Sequence, residues 1–256
     1  MPTSHHHHDL IPTVVEAVEA ALSEEPGLRR ISAPKRATFA LDLALIALGC
    51  RCACLVDVVV VQDPEQSYAN LLRTLRQKHA IFDIVQHLFE SSSEQSFFVN
   101  TEQFQASTSV TDTLFVLLGR DPQLLARPPP DVLAALHALA ATTPPTLPRD
   151  LTPHTIIPLA GVLLGYPVAY VPGADDGAFL AQVSLDVFAC RVRAPTWEHA
   201  FLKFSCPATL AAAHPELLSP TRIVESLKTR FEARLKELGL ALIVEHSTEI
   251  MDRVAL

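Results

Sequence analysis

The sequence predicts a mixed α/β fold: a central mixed sheet with helices on its faces and an antiparallel meander in the C-terminal half. Three observations carry this. Helix-period and strand-like apolar segments alternate through the first half. Proline and glycine fall where helix starts and stops favour them. In the second half, strand-like runs follow one another across short turns. The composition fits: 49% of the 256 residues are hydrophobic and 19% charged. A chain of this size buries roughly three quarters of its unfolded surface.

The elements follow in order. Residues 10–22 read as an amphipathic helix, with Ile11, Val14, Val15, Val18 and Leu22 on one face and Glu16 and Glu19 turned away. Pro26-Gly27 ends it. Pro34 opens a second helix that runs to Leu48 and stops at Gly49. It is apolar nearly all round, as a helix buried on a sheet is. Residues 51–61 give the strongest strand pattern, a near-continuous β-branched run typical of a central strand covered on both faces. Asp63-Pro64 supplies an N-cap and first-turn proline for a helix to about Lys78.

Residues 81–89 fit strand or helix, and Ser91, Ser92 and Ser93 break them. Residues 96–100 and 113–118 read as strands, and 131–140 as a helix. Residues 142–153, rich in proline, read as an irregular surface connection within one domain. A buried helix over 155–164 and a buried strand over 166–171 follow. Asp176-Gly177 signals a hairpin turn. Residues 179–193 make a long strand with a bulge, and 197–205 return antiparallel. Pro220 opens the last helix, Gly239 caps it, and residues 240–245 form a final buried strand. The domain reading is a flexible, solvated tail over 1–9, holding His5 to His8, and a single globular α/β domain over 10–256.

Charge and motif content exclude several functions. The net charge of −8 speaks against nucleic acid, which is approached through a basic patch. The most basic segment, 222–236, also contains Glu225 and Glu232. Residues 155–174 are uncharged over about the length of a membrane span, but Pro158, Gly161, Gly165, Pro167 and Pro172 interrupt them. No membrane span is expected. The phosphate-cradling glycine patterns, the GxSxG elbow and HExxH are missing. No cofactor and no metal are expected. The cysteines are Cys50, Cys52, Cys54, Cys190 and Cys206, an odd number without a CxxC pair. With the polar start of the chain they imply reduced thiols in the cytosol or nucleus. Cys50, Cys52 and Cys54 alternate along the expected strand and read as small buried hydrophobes.

Asp57 is the one candidate catalytic residue. A carboxylate inside a run of valines is costly to bury alone. At the carboxyl end of a strand it lies where open α/β sheets bind ligands. Its alternative role is structural, bonded to backbone amides or an arginine. Asp112 and Asp121 flank the 113–118 strand as turn and cap residues. His154 reads as a helix-start residue and Tyr166 as a core ring. Cys206 is a strand-end thiol without a histidine at any recognisable spacing. Lys228, Glu232 and Lys236 form a self-paired solvent face.

Several short motifs occur in a familiar order. Leu55-Val56-Asp57 follows an apolar helix, Gly165-Tyr166-Pro167-Val168 follows Val162-Leu163-Leu164, and residues 201–210 follow the hairpin. Arg230-Phe231 precedes the final strand and Val254-Ala255-Leu256. From Phe39 to Leu256 this order resembles an uncharacterised eukaryotic family, a domain of unknown function named after human chromosome 1 open reading frame 74. That family has Asp-Tyr-Gly where this chain has Asp57-Val58-Val59, so any turn or ligand approach made by that glycine is missing here. The resemblance implies a soluble, intracellular, fold-sized unit and brings no established activity.

Two functions are expected from these residues. The leading one is a protein-binding or scaffold-like domain that meets a partner, or itself, through an apolar face. The alternative is an enzyme or small-molecule binder with its site near Asp57 at the carboxyl edge of the sheet.

Overall fold

In a computed structural model of the chain, residues 10–59, 61–106, 112–173 and 180–250 are described. His5 to His8, the Asp176-Gly177 turn and Val254-Ala255-Leu256 lie outside them. The class is mixed α/β, and the C-terminal sheet is antiparallel. Among the described residues the strands are shared between three three-stranded sheets rather than gathered in one. The described parts of Met1–Ser107, Ala138–Asp150 and Arg234–Gly239 make one compact unit. Those of Thr108–His137, Leu151–Ala233 and Leu240–Leu256 make another.

The first unit opens with helices α1 (Leu10–Glu24) and α2 (Ala33–Ala47). α1 buries Ile11, Val14, Val18, Ala21 and Leu22, the stripe its periodicity marks. After α2 the chain turns at Gly49 with φ 70°, a left-handed conformation free of Cβ strain only in glycine. Then come β1 (Ala53–Leu55), α3 (Pro64–Lys78), a 3₁₀ turn (Ala80–Phe82), β2 (Val85–Glu90), β3 (Gln95–Asn100) and α4 (Thr101–Ala106). The Asp63 carboxylate accepts the Gln66 N–H at 3.0 Å, capping α3.

The strand expected over 51–61 needs correction. β1 is short and lies at the edge of an antiparallel sheet ordered β1-β3-β2. Its partner runs out. Leu55 faces Phe97, the Val56 N–H donates to the Ser96 carbonyl at 2.9 Å, and β3 begins one residue earlier at Gln95. β-branched propensity does not make a strand where no ladder remains.

This unit's core is aromatic. Phe98 meets Phe39 at 5.5 Å and Tyr68 at 5.2 Å, both edge-on, the arrangement ring quadrupoles favour. Each such buried ring stabilises by about 1.5–3 kcal/mol through area alone. Buried Asn100 uses both ends of its amide: Nδ2 donates to the Ile46 carbonyl at 2.9 Å, and Oδ1 accepts the Gln103 N–H at 3.0 Å.

The second unit contains β4 (Leu114–Leu117) and β5 (Gln123–Leu124). After α5 (Pro130–Ala141) come α6 (Pro153–Leu164) and β6 (Val168–Val171). β4 pairs antiparallel with β5 and parallel with β6. α6 packs so closely on β6 that a Cβ on Gly161 would stand 2.8 Å from that of Ala169. Within the uncharged stretch, residues 155–164 belong to this helix and 168–171 to this strand. No helix among the described residues is long and apolar enough to cross a membrane.

The C-terminal sheet is built from β7 (Ser184–Arg193), β8 (Glu198–Pro207) and, after α7 (Ala208–Ala213), α8 (Pro215–Leu218) and α9 (Pro220–Glu237), β9 (Ala241–Ile250). The order is β8-β7-β9. The last strand departs from expectation. It runs five residues past Glu245, lies at the sheet's edge, and has no buried residue. The buried residue is Leu240, just before it. Leu-Ile-Val reads equally well as a core strand and as an edge strand with one face half covered.

Candidate functional site

Among the described residues, the feature best able to do something is the outer edge of β9. An antiparallel strand bonds its neighbours through alternate residues, so an edge strand leaves every second backbone N–H and C=O free. β9 follows β7 in unbroken register from Ser184↔Ile250 to Arg193↔Ala241. No further strand pairs with it among the described residues. Leu242, Ile243 and Val244 are half-buried, residues 245–248 are exposed, and Ile250 is 66% exposed.

The opposite edge, β8, carries three devices that guard a sheet edge. The β7–β8 register skips Phe201, a bulge that turns this side chain inward, where it meets Phe231 edge-on at 5.3 Å. β8 also carries exposed Lys203 and ends on Pro207, which has no N–H to offer. β9 has no lysine, no proline and no bulge.

Side chains on both faces hold β9 flat against β7. On one face, buried Asp186 accepts from Thr248 Oγ1 at 3.1 Å, and its Oδ1 lies 2.9 Å from His246 Nε2. The His246 ring stacks on Phe188 with centroids 4.9 Å apart. A buried carboxylate needs such partners, and these two fix the far half of the strand. On the other face, Arg191 lies 3.1 Å from Glu198 of β8 and 3.3 Å from Glu245 of β9. These side chains are well exposed, so solvent screens this tie and it adds little to the strand's hold.

Cys206 stands opposite Asp186 in the register and is fully buried. Burial, and then the Asp186 charge, push its thiol up to about 12. It stays protonated, pointing to the Pro207 carbonyl at 3.8 Å, and is not a nucleophile. Burial likewise pushes Cys50 and Cys54 up to about 12. Of the three alternating cysteines only Cys54 lies within a strand. Among the described residues no group of three histidine, cysteine or acidic side chains is placed to hold a metal.

The other candidates fall as follows. Asp57 lies beyond β1 and is exposed, so the buried carboxylate that drew attention to it is not there. Asp112 and Asp121 are exposed residues before and after β4. His154 places Nδ1 2.9 Å from the Pro172 carbonyl, and Tyr166 stacks on Phe204 at 5.6 Å. Lys228, Glu232 and Lys236 are exposed on α9, where the ion pairs formed are Arg222–Glu225 and Arg234–Glu237. Large exposed apolar side chains among the described residues are Leu217 and Ile250, so a broad apolar face is not among them. Sequence reading missed the Asp186–His246–Thr248 cluster. The alternation of 246 and 248 carried it, hidden because Glu-His-Ser-Thr-Glu does not read as a strand. No family model, curated protein or solved structure matches the chain.

Proposed function

We propose that this chain is a protein-binding module that takes an extended polypeptide segment onto the open edge of β9, by strand addition. One observation carries the reading: a ten-residue edge strand in regular register, without lysine, proline or bulge, in a sheet whose other edge has all three. Main-chain bonds supply the affinity in this mode and alternate side chains the selectivity. The cytosol or nucleus is the proposed setting, where the thiols stay reduced. Membership of the chromosome 1 open-reading-frame family belongs to the same proposal and rests on the order of its short motifs. The catalytic reading at Asp57 has lost its motive, since that carboxylate is exposed.

Selection of extended peptides from a random display library tests the proposal. Binders are expected to shift the backbone amide resonances of residues 241–250. Binders whose shifts map elsewhere, or a library that yields none, overturn it.

A further inference from the structure

We infer that the segment taken up by β9 is β9 of a second copy, giving a two-fold dimer with His246 at its axis. This rests on the strand-addition reading and adds an occupant and a register.

The argument is one of self-complementarity. Directly opposed residues in an antiparallel pair point to the same face. β9 alternates faces, with Leu242, Val244, His246, Thr248 and Ile250 on the Phe188 side and Ile243, Glu245, Ser247 and Glu249 on the other. A continuous two-fold sheet therefore centres on a residue, never between two. Two registers use nearly the whole strand. The first, over 241–249, centres on Glu245 and sets that carboxylate against its own copy. The second, over 242–250, centres on His246, sets Ile243 against Glu249 and opposes no two carboxylates. Glu245 then meets Ser247 of the second copy, and Val244 meets Thr248. Leu242 covers Ile250, one of the two large apolar side chains left open among the described residues. Opposed β-branched and apolar pairs stabilise a sheet, and opposed like charges destabilise it. Such an interface is isologous and closes on itself.

Substitution at Ser247 separates this register from a general effect of edge charge. Ser247 is exposed, and its hydroxyl donates to Glu249 of the same strand at 2.7 Å. Ser247→Glu sets two like-charge pairs against Glu245, and Ser247→Lys sets two opposite ones. Sedimentation equilibrium from micromolar to millimolar protein is expected to show a monomer–dimer equilibrium for the unmodified chain. Ser247→Glu should weaken it about tenfold or more, and Ser247→Lys should not weaken it. Hydrogen exchange at 241–250 should slow as dimer forms. A strict monomer throughout the range overturns the inference, and so does a dimer that both variants weaken alike or that leaves 241–250 exchanging as before. A strict monomer that still binds display-selected peptides at β9 leaves strand addition standing. A monomer that binds none removes both.

Discussion

The sheets β1-β3-β2 and β8-β7-β9 share a plan: three antiparallel strands with a histidine ring against a central-strand phenylalanine. They differ in what the histidine does. His87 lies against Tyr68 and Phe98 at 4.9 and 5.4 Å, and its Nε2 is buried without a hydrogen-bond partner among the described residues. Burial pushes it down to about 4, so it stays neutral. His246 lies against Phe188 and turns its Nε2 to Asp186. The first imidazole is a ring in a core. The second is a fastener for an exposed strand. The same residue on the same kind of surface takes its role from whether a carboxylate stands beside it.

The two central phenylalanines should respond most strongly and nearly alike. Phe98→Ala and Phe188→Ala each empty a fully buried site, and each should cost about 3–5 kcal/mol in urea unfolding. A cost below 1 kcal/mol for either would remove that ring from its core. His87 comes next. Unfolded histidine takes up a proton below its ordinary 6.5, while folded His87 does so only near 4. Its contribution is therefore present above pH 6.5 and is lost as pH falls toward 4, by up to about 3 kcal/mol. His87→Phe should flatten that part of the stability–pH curve, and an unchanged slope would show that other groups produce it.

Asp186→Asn should cost about 1–3 kcal/mol and speed amide exchange along β9 more than along β8. Uniform exchange would mean that the cluster does not hold the strand. The smallest effect belongs to Glu90. Burial disfavours its charge, but Ser93 and Ser92 hydrogen bonds outweigh that and hold the carboxyl below its usual range. Glu90→Gln should lower stability modestly above about pH 4.5 and leave it unchanged in stronger acid, where the native carboxyl is protonated too. A loss equal at all pH values would assign the effect to geometry.

Helix ends were the most legible part of the sequence. Asp63-Pro64, Gly49 and Gly239 act locally, and the structure uses each where the chain reads it. Strand burial was the least legible. Residues 51–61 and 240–245 both read as core strands, and the strands that form there, β1 and β9, lie at sheet edges, because burial of a strand depends on partners distant in sequence. β1 stops where β3 begins, a limit set by the hairpin at 91–94 that Val58 and Val59 do not reveal. β9 continues through polar residues because β7 is long enough to pair with all of them. Asp57 drew attention through neighbours whose strand does not form, and Asp186 escaped it because its partners lie across two turns of topology.

The β7–β9 ladder also sets an order of events during synthesis. β7 and β8 leave the ribosome together and close as a hairpin. The strand that covers the other side of β7 follows roughly 50 residues later, after α9, a delay of several seconds at cellular translation rates. Through that interval Phe188 lacks its imidazole cover, Asp186 lacks both its partners, and one side of β7 stands bare. Slower translation between α7 and α9 would lengthen that exposure.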